Sequence, residues 1–280
     1  MINSAVLSLG AIGIQPYGSV VVLAIIASAL FALWQGKRQK LPLGPIAELF
    51  IFSLPCGILG GRAYYVLINW PYYSNHLQEI FLLNRGGFAA HGALMAVFCF
   101  GLIYIRSKKL AFGQFADFFA MVMALGEAIG QWANIMNQEA IGYPTQLSWG
   151  IYVDYAMRPV GYEDFDFFHP IFAYQSLLSF VLLFVLLLIQ TLDRQQKLWG
   201  TGRLFCFYLF SESAGRFVME GMRLDSEVLY GYNIAQVGSV CFMVLALLLF
   251  TATFLKRSNL AARIGKNAGQ NTTKTTIKVE

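Results

Sequence analysis

Residues 115–139 read FADFFAMVMALGEAIGQWANIMNQE, an apolar run that turns polar while keeping helical spacing. On one helix Glu127, Gln131, Asn134 and Gln138 fall at i, i+4, i+7 and i+11, a single stripe with Asn137 at its edge. Trp132, Ile135 and Met136 point elsewhere. The segment is about the 20 residues that a helix needs to cross a bilayer. Amides and carboxylates buried there cost free energy unless they are partnered or face water, so the stripe predicts the lining of a cavity.

The rest of the chain supports a membrane setting. Of 280 residues 57% are hydrophobic and 12% charged, with mean hydropathy +0.57; a soluble domain is about one quarter charged and could not hide so much apolar surface. Apolar stretches recur at Ser19–Trp34, Ala47–Ile68, Phe88–Ile105, Phe115–Ile135, Phe167–Gln190, Leu204–Met222 and Ile234–Phe254. The expected fold is therefore all-α, a polytopic membrane protein of about seven spans, the fourth and sixth being the most polar.

Loop charges give this bundle a direction. Lys37, Arg38 and Lys40 follow the first span, Arg106, Lys108 and Lys109 the third, and Arg194, Lys197 and Arg203 the fifth; Lys256, Arg257, Arg263 and Lys266 follow the last. The positive-inside rule makes these loops and the C-terminus cytoplasmic and the N-terminus external. On the other side lie Trp70–Gly87 and the acidic loop 143–166, long enough for a small extracytoplasmic cap. The net charge of +5 sits on the cytoplasmic rim, where anionic lipid heads account for it and nucleic acid need not be invoked. Residues 1–258 read as one integral membrane domain and 259–280 as a basic cytoplasmic tail, disordered after Asn267. Residues 1–16 lack the basic region of a cleavable signal, so the first span should stay as an anchor. Cys56, Cys99, Cys206 and Cys241 fall inside spans and read as small buried hydrophobes, with no disulfide, metal or cofactor implied. No internal repeat is evident, which removes the usual signature of inverted-repeat transporters.

Outside the opening stripe, candidate chemistry clusters in three places. In Arg85-Gly86-Gly87-Phe88-Ala89-Ala90-His91-Gly92 an imidazole enters the membrane after a glycine-rich turn, either as a proton acceptor or as a polar group satisfied by a neighbouring helix; His76 precedes it in a loop. In Phe168-His169-Pro170, Pro170 suits a helix start and His169 its cap. Along the sixth span Glu212, Arg216, Glu220 and Arg223 alternate in sign at i, i+4, i+8 and i+11 and can pair with one another. Gly215 and Gly221 nevertheless thin the helix beside the two arginines, leaving room for an anionic head group. Arg62, after Gly60-Gly61, is a further phosphate ligand or a snorkelling residue.

Taken in order, these pieces resemble a known family. Tyr17-Gly18, Gly60-Gly61-Arg62 with Tyr65, Gly87 to His91-Gly92, Gly130 with Asn134, Asn137, Glu139 and Gly142, Trp149-Gly150, His169-Pro170 with Tyr174, and Gly215-Arg216-Phe217 with Glu220, Arg223 and Asp225 resemble prolipoprotein diacylglyceryl transferases. The resemblance implies an enzyme of the bacterial inner membrane that moves the diacylglyceryl group of phosphatidylglycerol onto the thiol of a lipobox cysteine, releasing glycerol 1-phosphate. Its partners would be phosphatidylglycerol, prolipoprotein signal peptides and membrane lipids. By the same resemblance His91 would be the base and Arg216 would stabilise the leaving phosphate. Tyr17, Arg62, Gln131, Asn134, Asn137, Glu139, Gly142, Glu220 and Arg223 would bind or enclose the substrates.

The chain departs from the family pattern at several positions. Gln131 and Phe168 stand where arginines are usual, Gln175 where glutamate is, and Ala93, Ala133 and Gln138 where glycines are. Besides a divergent transferase of the same reaction, these changes leave open a paralogue with another lipid donor or acceptor, and a lipid-binding protein that kept the cavity without the chemistry.

Overall fold

A computed structural model describes the backbone of residues 7–9, 12–14, 16–82, 87–193, 195, 197–226, 228–229 and 231–276. Side chains after Leu255 lie outside the described residues, as do Arg85, Gly86 and Arg194, and with them the expectation for the order of the tail. The chain divides into two compact units, one formed by Ala27–Phe115 and the other by Met1–Ile26 with Ala116–Glu280.

A short hairpin, β1 (Leu7–Leu9) with β2 (Ile12–Ile14), precedes α1 (Pro16–Arg38), and α2 (Leu43–Ile68) follows. Then come α3 (Trp70–Tyr73), a 3-10 turn at Leu77–Phe81, and α4 (Ala90–Ser107). The larger unit continues with α5 (Phe112–Gly130), whose first residues belong to the smaller unit, then a 3-10 turn at Gln131–Ala133 and α6 (Asn134–Asn137). β3 (Ile141–Pro144), β4 (Ile151–Tyr152) and β5 (Phe167–Pro170) lead to α7 (Ile171–Leu192), α8 (Arg203–Glu220), the β6 (Val228–Leu229) and β7 (Tyr232–Asn233) pair, and α9 (Ile234–Thr276). Among the described residues five helical stretches are long and apolar enough to cross a membrane: Pro16–Arg38, Leu43–Ile68, Phe112–Asn137, Ile171–Leu192 and Ile234–Leu255. α4 is apolar but shorter, and in α8 the charges of Arg203, Glu212, Arg216 and Glu220 lower the hydropathy.

In the smaller unit a seam of small residues lets α2 and α4 approach backbone to backbone, the usual solution where lipid removes the hydrophobic drive between helices. A Cβ on Gly60 would overlap Ala96, and one on Gly92 would overlap Tyr64. The Ala89 N–H reaches across to the Gly61 carbonyl at 3.1 Å, tying the start of α4 to α2.

The larger unit packs α8 between α7 and α9. Gly215 lies against Leu178 of α7, which a side chain there would overlap, so this glycine makes room for a helix rather than for a head group. Asp117 of α5 is fully buried and fastens the start of α8: Oδ2 accepts the N–H groups of Thr201 (3.0 Å) and Gly202 (2.9 Å), and Oδ1 that of Phe205 (2.9 Å). These are N–H groups that a helix start leaves without an internal partner. Asp193 organises the loop before it in the same way, accepting from Lys197, Leu198 and Trp199.

Between α6 and α7 the chain forms a three-stranded antiparallel sheet, β3-β5-β4, that the helical reading of the sequence misses. One face buries Ile141, Val153 and Phe168 with Ile151, Tyr162 and Leu224 packed on them. The fifth apolar stretch, read as a span from Phe167, is corrected accordingly: Phe167–Pro170 is strand and the helix begins at Ile171. His169 does not cap α7; its Nδ1 shares a 2.8 Å hydrogen bond with the Tyr174 hydroxyl, which accepts from Trp149 Nε1 at 2.9 Å. The four cysteines are free, but only Cys206 is fully buried; Cys99 and Cys241 are exposed on outward helix faces.

Replacing Asp117 with Ala strips partners from three N–H groups, one buried and two part-buried, and is expected to cost on the order of 2–3 kcal/mol, read as a lower unfolding temperature in detergent; Asp117→Asn should recover only part of the loss.

Candidate functional site

In the smaller unit the residues of interest gather where α4 begins. Arg62 of α2 is buried, and its guanidinium donates to the carbonyls of Glu79 (2.7 Å), Ile80 (2.9 Å), Leu82 (3.4 Å) and Gly87 (2.9 Å) while lying over the Tyr73 ring. Those bonds replace the snorkelling reading of Arg62 and occupy its donors with the backbone of Glu79, Ile80, Leu82 and Gly87. Gly87 has φ +80°, and a Cβ there would come within 2.6 Å of Arg62 Nη1 and of the Tyr65 ring, so the position is reserved for glycine on two counts. The clamp and the Ala89–Gly61 bond together fix the first turn of α4, where His91 is exposed at the positive end of the helix and Gly92 is buried against α2.

In the larger unit the polar stripe of the sequence divides in two. The helix tightens to a 3-10 turn at Gln131–Ala133, and Gln138 ends it in the left-handed conformation (φ +53°), so the expected continuous stripe is not formed. Glu127 looks inward: its carboxyl accepts from the Tyr208 hydroxyl at 3.1 Å and lies within hydrogen-bonding reach of buried Glu212, which also accepts from Ser179 at 3.4 Å. One turn beyond Glu212, Arg216 is exposed; among the described residues no hydrogen bond or salt bridge engages its guanidinium, although Glu212 and Tyr208 lie close enough to feel its charge.

The second half of the stripe pairs locally. Asn134 Nδ2 donates to Gln131 Oε1 at 3.0 Å, and Asn137 Nδ2 to Glu139 Oε1 at 3.1 Å. Gln138 turns away, exchanging hydrogen bonds with the carboxylate and the N–H of Asp154. Asn137 and Glu139 border a cavity of about 420 Å³ with Ile141, Tyr162, Leu224 and Asp225. Gly142 offers no open surface, since a Cβ there would meet Ile171 and His169. Tyr17, in the first turn of α1, is about one-third exposed.

The end of α8 is locked by charge. Arg223 holds Glu220 (3.2 Å) and both oxygens of Asp225 (2.7 and 3.1 Å), and Ser226 donates to Glu220 at 2.5 Å. Asp225 also accepts the Ala140 N–H at 2.9 Å, and the Leu224 N–H donates to Ile141, which joins the lock to β3. Burial pushes the Asp225 carboxyl upward, but the Arg223 guanidinium and the Ala140 N–H outweigh it and hold the group below the ordinary carboxylate range. Glu220 and Arg223 thus satisfy one another with Asp225, the pairing anticipated from their alternating signs. Asp225 was legible only as part of the family pattern, because its partner Ala140 is remote in sequence.

The family model for prolipoprotein diacylglyceryl transferase matches residues 4–252 of the chain. Proteins named phosphatidylglycerol–prolipoprotein diacylglyceryl transferase resemble it over nearly their whole length. The one from Acaryochloris marina is 35% identical over 252 residues, 90% of each chain. That from Geobacillus kaustophilus is 38% identical, covering 87% of this chain and 90% of the relative, and that from Thermotoga maritima 34%, covering 92% and 86%.

Two outcomes follow from the geometry. A lysine at position 62 cannot reach the carbonyls of Glu79, Ile80, Leu82 and Gly87 together, so Arg62→Lys should speed hydrogen exchange of the backbone at Leu77–Leu82 and Gly87–Ala89 while leaving α8 unchanged. Because the folded Asp225 value is depressed, its contribution to stability is fully present above the unfolded carboxylate value of about 3.9 and is lost as pH falls through the lower folded value. The difference in unfolding temperature between the natural chain and Asp225→Asn should therefore shrink in acid.

Proposed function

The chain belongs to the prolipoprotein diacylglyceryl transferase family, and we propose that it transfers the diacylglyceryl group of phosphatidylglycerol to the thiol of a lipobox cysteine in prolipoproteins, releasing glycerol 1-phosphate. The observation that carries this reading is relatedness across residues 4–252 to transferases of that name. It is a multi-pass membrane protein. We place it in the bacterial inner membrane with about seven spans, α4 and α8 completing the five apolar ones, with the N-terminus outside, the C-terminus cytoplasmic and loop 143–166 as an external cap. Residues 1–258 form the enzyme domain in this reading and 259–280 its basic tail.

The reaction asks for two things. A cysteine thiol with pKa near 8.5 is mostly protonated at neutral pH, and His91 takes its proton. The first-turn N–H groups of α4 favour the thiolate that results. Sulfur then bonds to the glyceryl carbon that bears the phosphate, the carbon–oxygen bond breaks, and its electron pair leaves with glycerol phosphate. That leaving group gains one negative charge, which Arg216 offsets where water is scarce. Its freedom from an internal salt bridge among the described residues supports that assignment. Gln131, Asn134, Asn137 and Glu139 supply hydrogen bonds that orient head group and peptide, and Tyr17 lines the mouth. Arg223, Glu220 and Gly142 serve by holding the end of α8 against β3, and Arg62 by holding the segment before His91.

In cells depleted of their own transferase, the chain is expected to restore diacylglyceryl-modified lipoprotein, measured by mass spectrometry. His91→Ala and Arg216→Ala should each lower turnover by about 10²-fold or more, with membrane insertion unchanged. No modification despite insertion would overturn the proposed reaction, and Gln131→Arg should raise turnover if the missing cation limits it.

A further inference from the structure

The loop between β4 and β5 is built inside out. Its one arginine, Arg158, is turned inward with only 7% of its side chain exposed, donating to the carbonyls of Val153 (3.0 Å) and Glu163 (2.7 Å) and to the Asp166 carboxylate (2.5 Å). Glu163 folds back onto the Gly161 N–H, and Asp154 is taken up by Gln138. Its apolar residues are left outside: Val160 is 93% exposed, Tyr155, whose ring lies over the Arg158 guanidinium, 70%, Met157 45% and Phe165 50%. A loop surrounded by water would gain by the reverse arrangement, since it would bury these side chains and hydrate the guanidinium. Exposed apolar side chains beside an arginine satisfied from within mark a surface meant for an apolar neighbour.

The place of the loop identifies that neighbour. The stretch from Gln138 to Pro170 is tethered between two helices long and apolar enough to cross a membrane, Phe112–Asn137 and Ile171–Leu192. Met157, Pro159, Val160 and Tyr162 line the same hollow as Asn137 and Glu139, which leave the first of those helices, and Leu224 and Asp225, which follow α8. Met157 and Val160 therefore border the same hollow as the ends of Phe112–Asn137 and α8. Tyrosine and phenylalanine beside a backbone turn are what the headgroup–acyl boundary accommodates, ring in the glycerol region and hydroxyl in water.

We propose that residues 155–165 form an interfacial anchor that dips into the lipid headgroup and glycerol layer, so that the loop is seated in the bilayer surface rather than standing free above it. The idea depends on membrane insertion alone and is independent of the transferase reaction. To test it, the full chain carrying Val160→Trp is reconstituted into phosphatidylethanolamine–phosphatidylglycerol vesicles, and the emission gained over the natural chain is followed with nitroxide-labelled lipids and with aqueous iodide. The added emission should be blue-shifted and lost to lipid nitroxide while resisting iodide. Leu147→Trp, in the separate turn before β4 and outside residues 155–165, should be quenched by iodide. Tyr155→Trp, a near-isosteric change, gives the same readout if position 160 disturbs folding. Quenching of Val160→Trp and Tyr155→Trp by iodide with no effect of lipid nitroxide would overturn the proposal. So would a blue shift that appears only when a lipobox peptide is added, which would assign the surface to the peptide instead.

Discussion

A polar group placed where water is scarce must find its partner within the protein, and this obligation shapes both units more than any single apolar contact. Arg62 meets it with backbone carbonyls, Asp117 with the N–H groups at the start of α8, and Arg223 with two carboxylates. Each of these arrangements joins elements that the sequence keeps apart: Arg62 ties α2 to the segment before α4, Asp117 ties α5 to α8, and Asp225 ties the end of α8 to Ala140. Helices with apolar surfaces on all sides slide easily past one another in lipid, so directional bonds of this kind are what can fix their register.

Such bonds also separate working charges from structural ones. A cation already surrounded by acceptors gains little from a phosphate, because binding it would break bonds of similar worth. By that measure Arg62, Arg158 and Arg223 are spent, whereas Arg216 keeps its guanidinium on the surface, where among the described residues it has the fields of Glu212 and Tyr208 but no hydrogen bond or salt bridge. Residue type placed Arg62 and Arg216 side by side as phosphate ligands. Only their surroundings distinguish them.

What the sequence could show followed from periodicity and composition, both local properties. The apolar stretches gave the helices, and the alternating charges from Glu212 to Arg223 gave the pairing of Glu220 with Arg223. The sheet was not legible, because β3, β4 and β5 hold two to four residues each and pair across a long loop, leaving no period to detect. Nor was the break at Gln131–Ala133, where a change from 3.6 to 3 residues per turn alters which side chains share a face without altering their types. Gly215 was read as room for a ligand for the same reason: a missing side chain signals close approach, but the sequence does not say of what.

The departures from the family pattern are of different physical kinds. Phe168 is fully buried among Ile141 and Val153, so at that position this chain has chosen a core side chain and an arginine would have to displace it. Gln138 occupies a left-handed backbone position that glycine adopts freely, and here the strain is offset by two hydrogen bonds to Asp154. The Gln138 change leaves charge unaltered, whereas Phe168 and Gln131 each stand in place of a cation. Gln131 keeps a polar group, for its amide oxygen accepts from Asn134 and leaves the Gln131 NH₂ group to serve as a donor. A neutral donor fixes the direction of a phosphate but does not neutralise it; in the proposed reaction the countercharge is assigned to Arg216, on a helix whose two ends are held by Asp117 and by the Arg223 lock. A single exposed cation can stabilise a leaving group in low dielectric only if it cannot drift from it. In the proposed reaction, therefore, the bonds that hold the two ends of α8, far from the cation itself, are what would keep Arg216 in place.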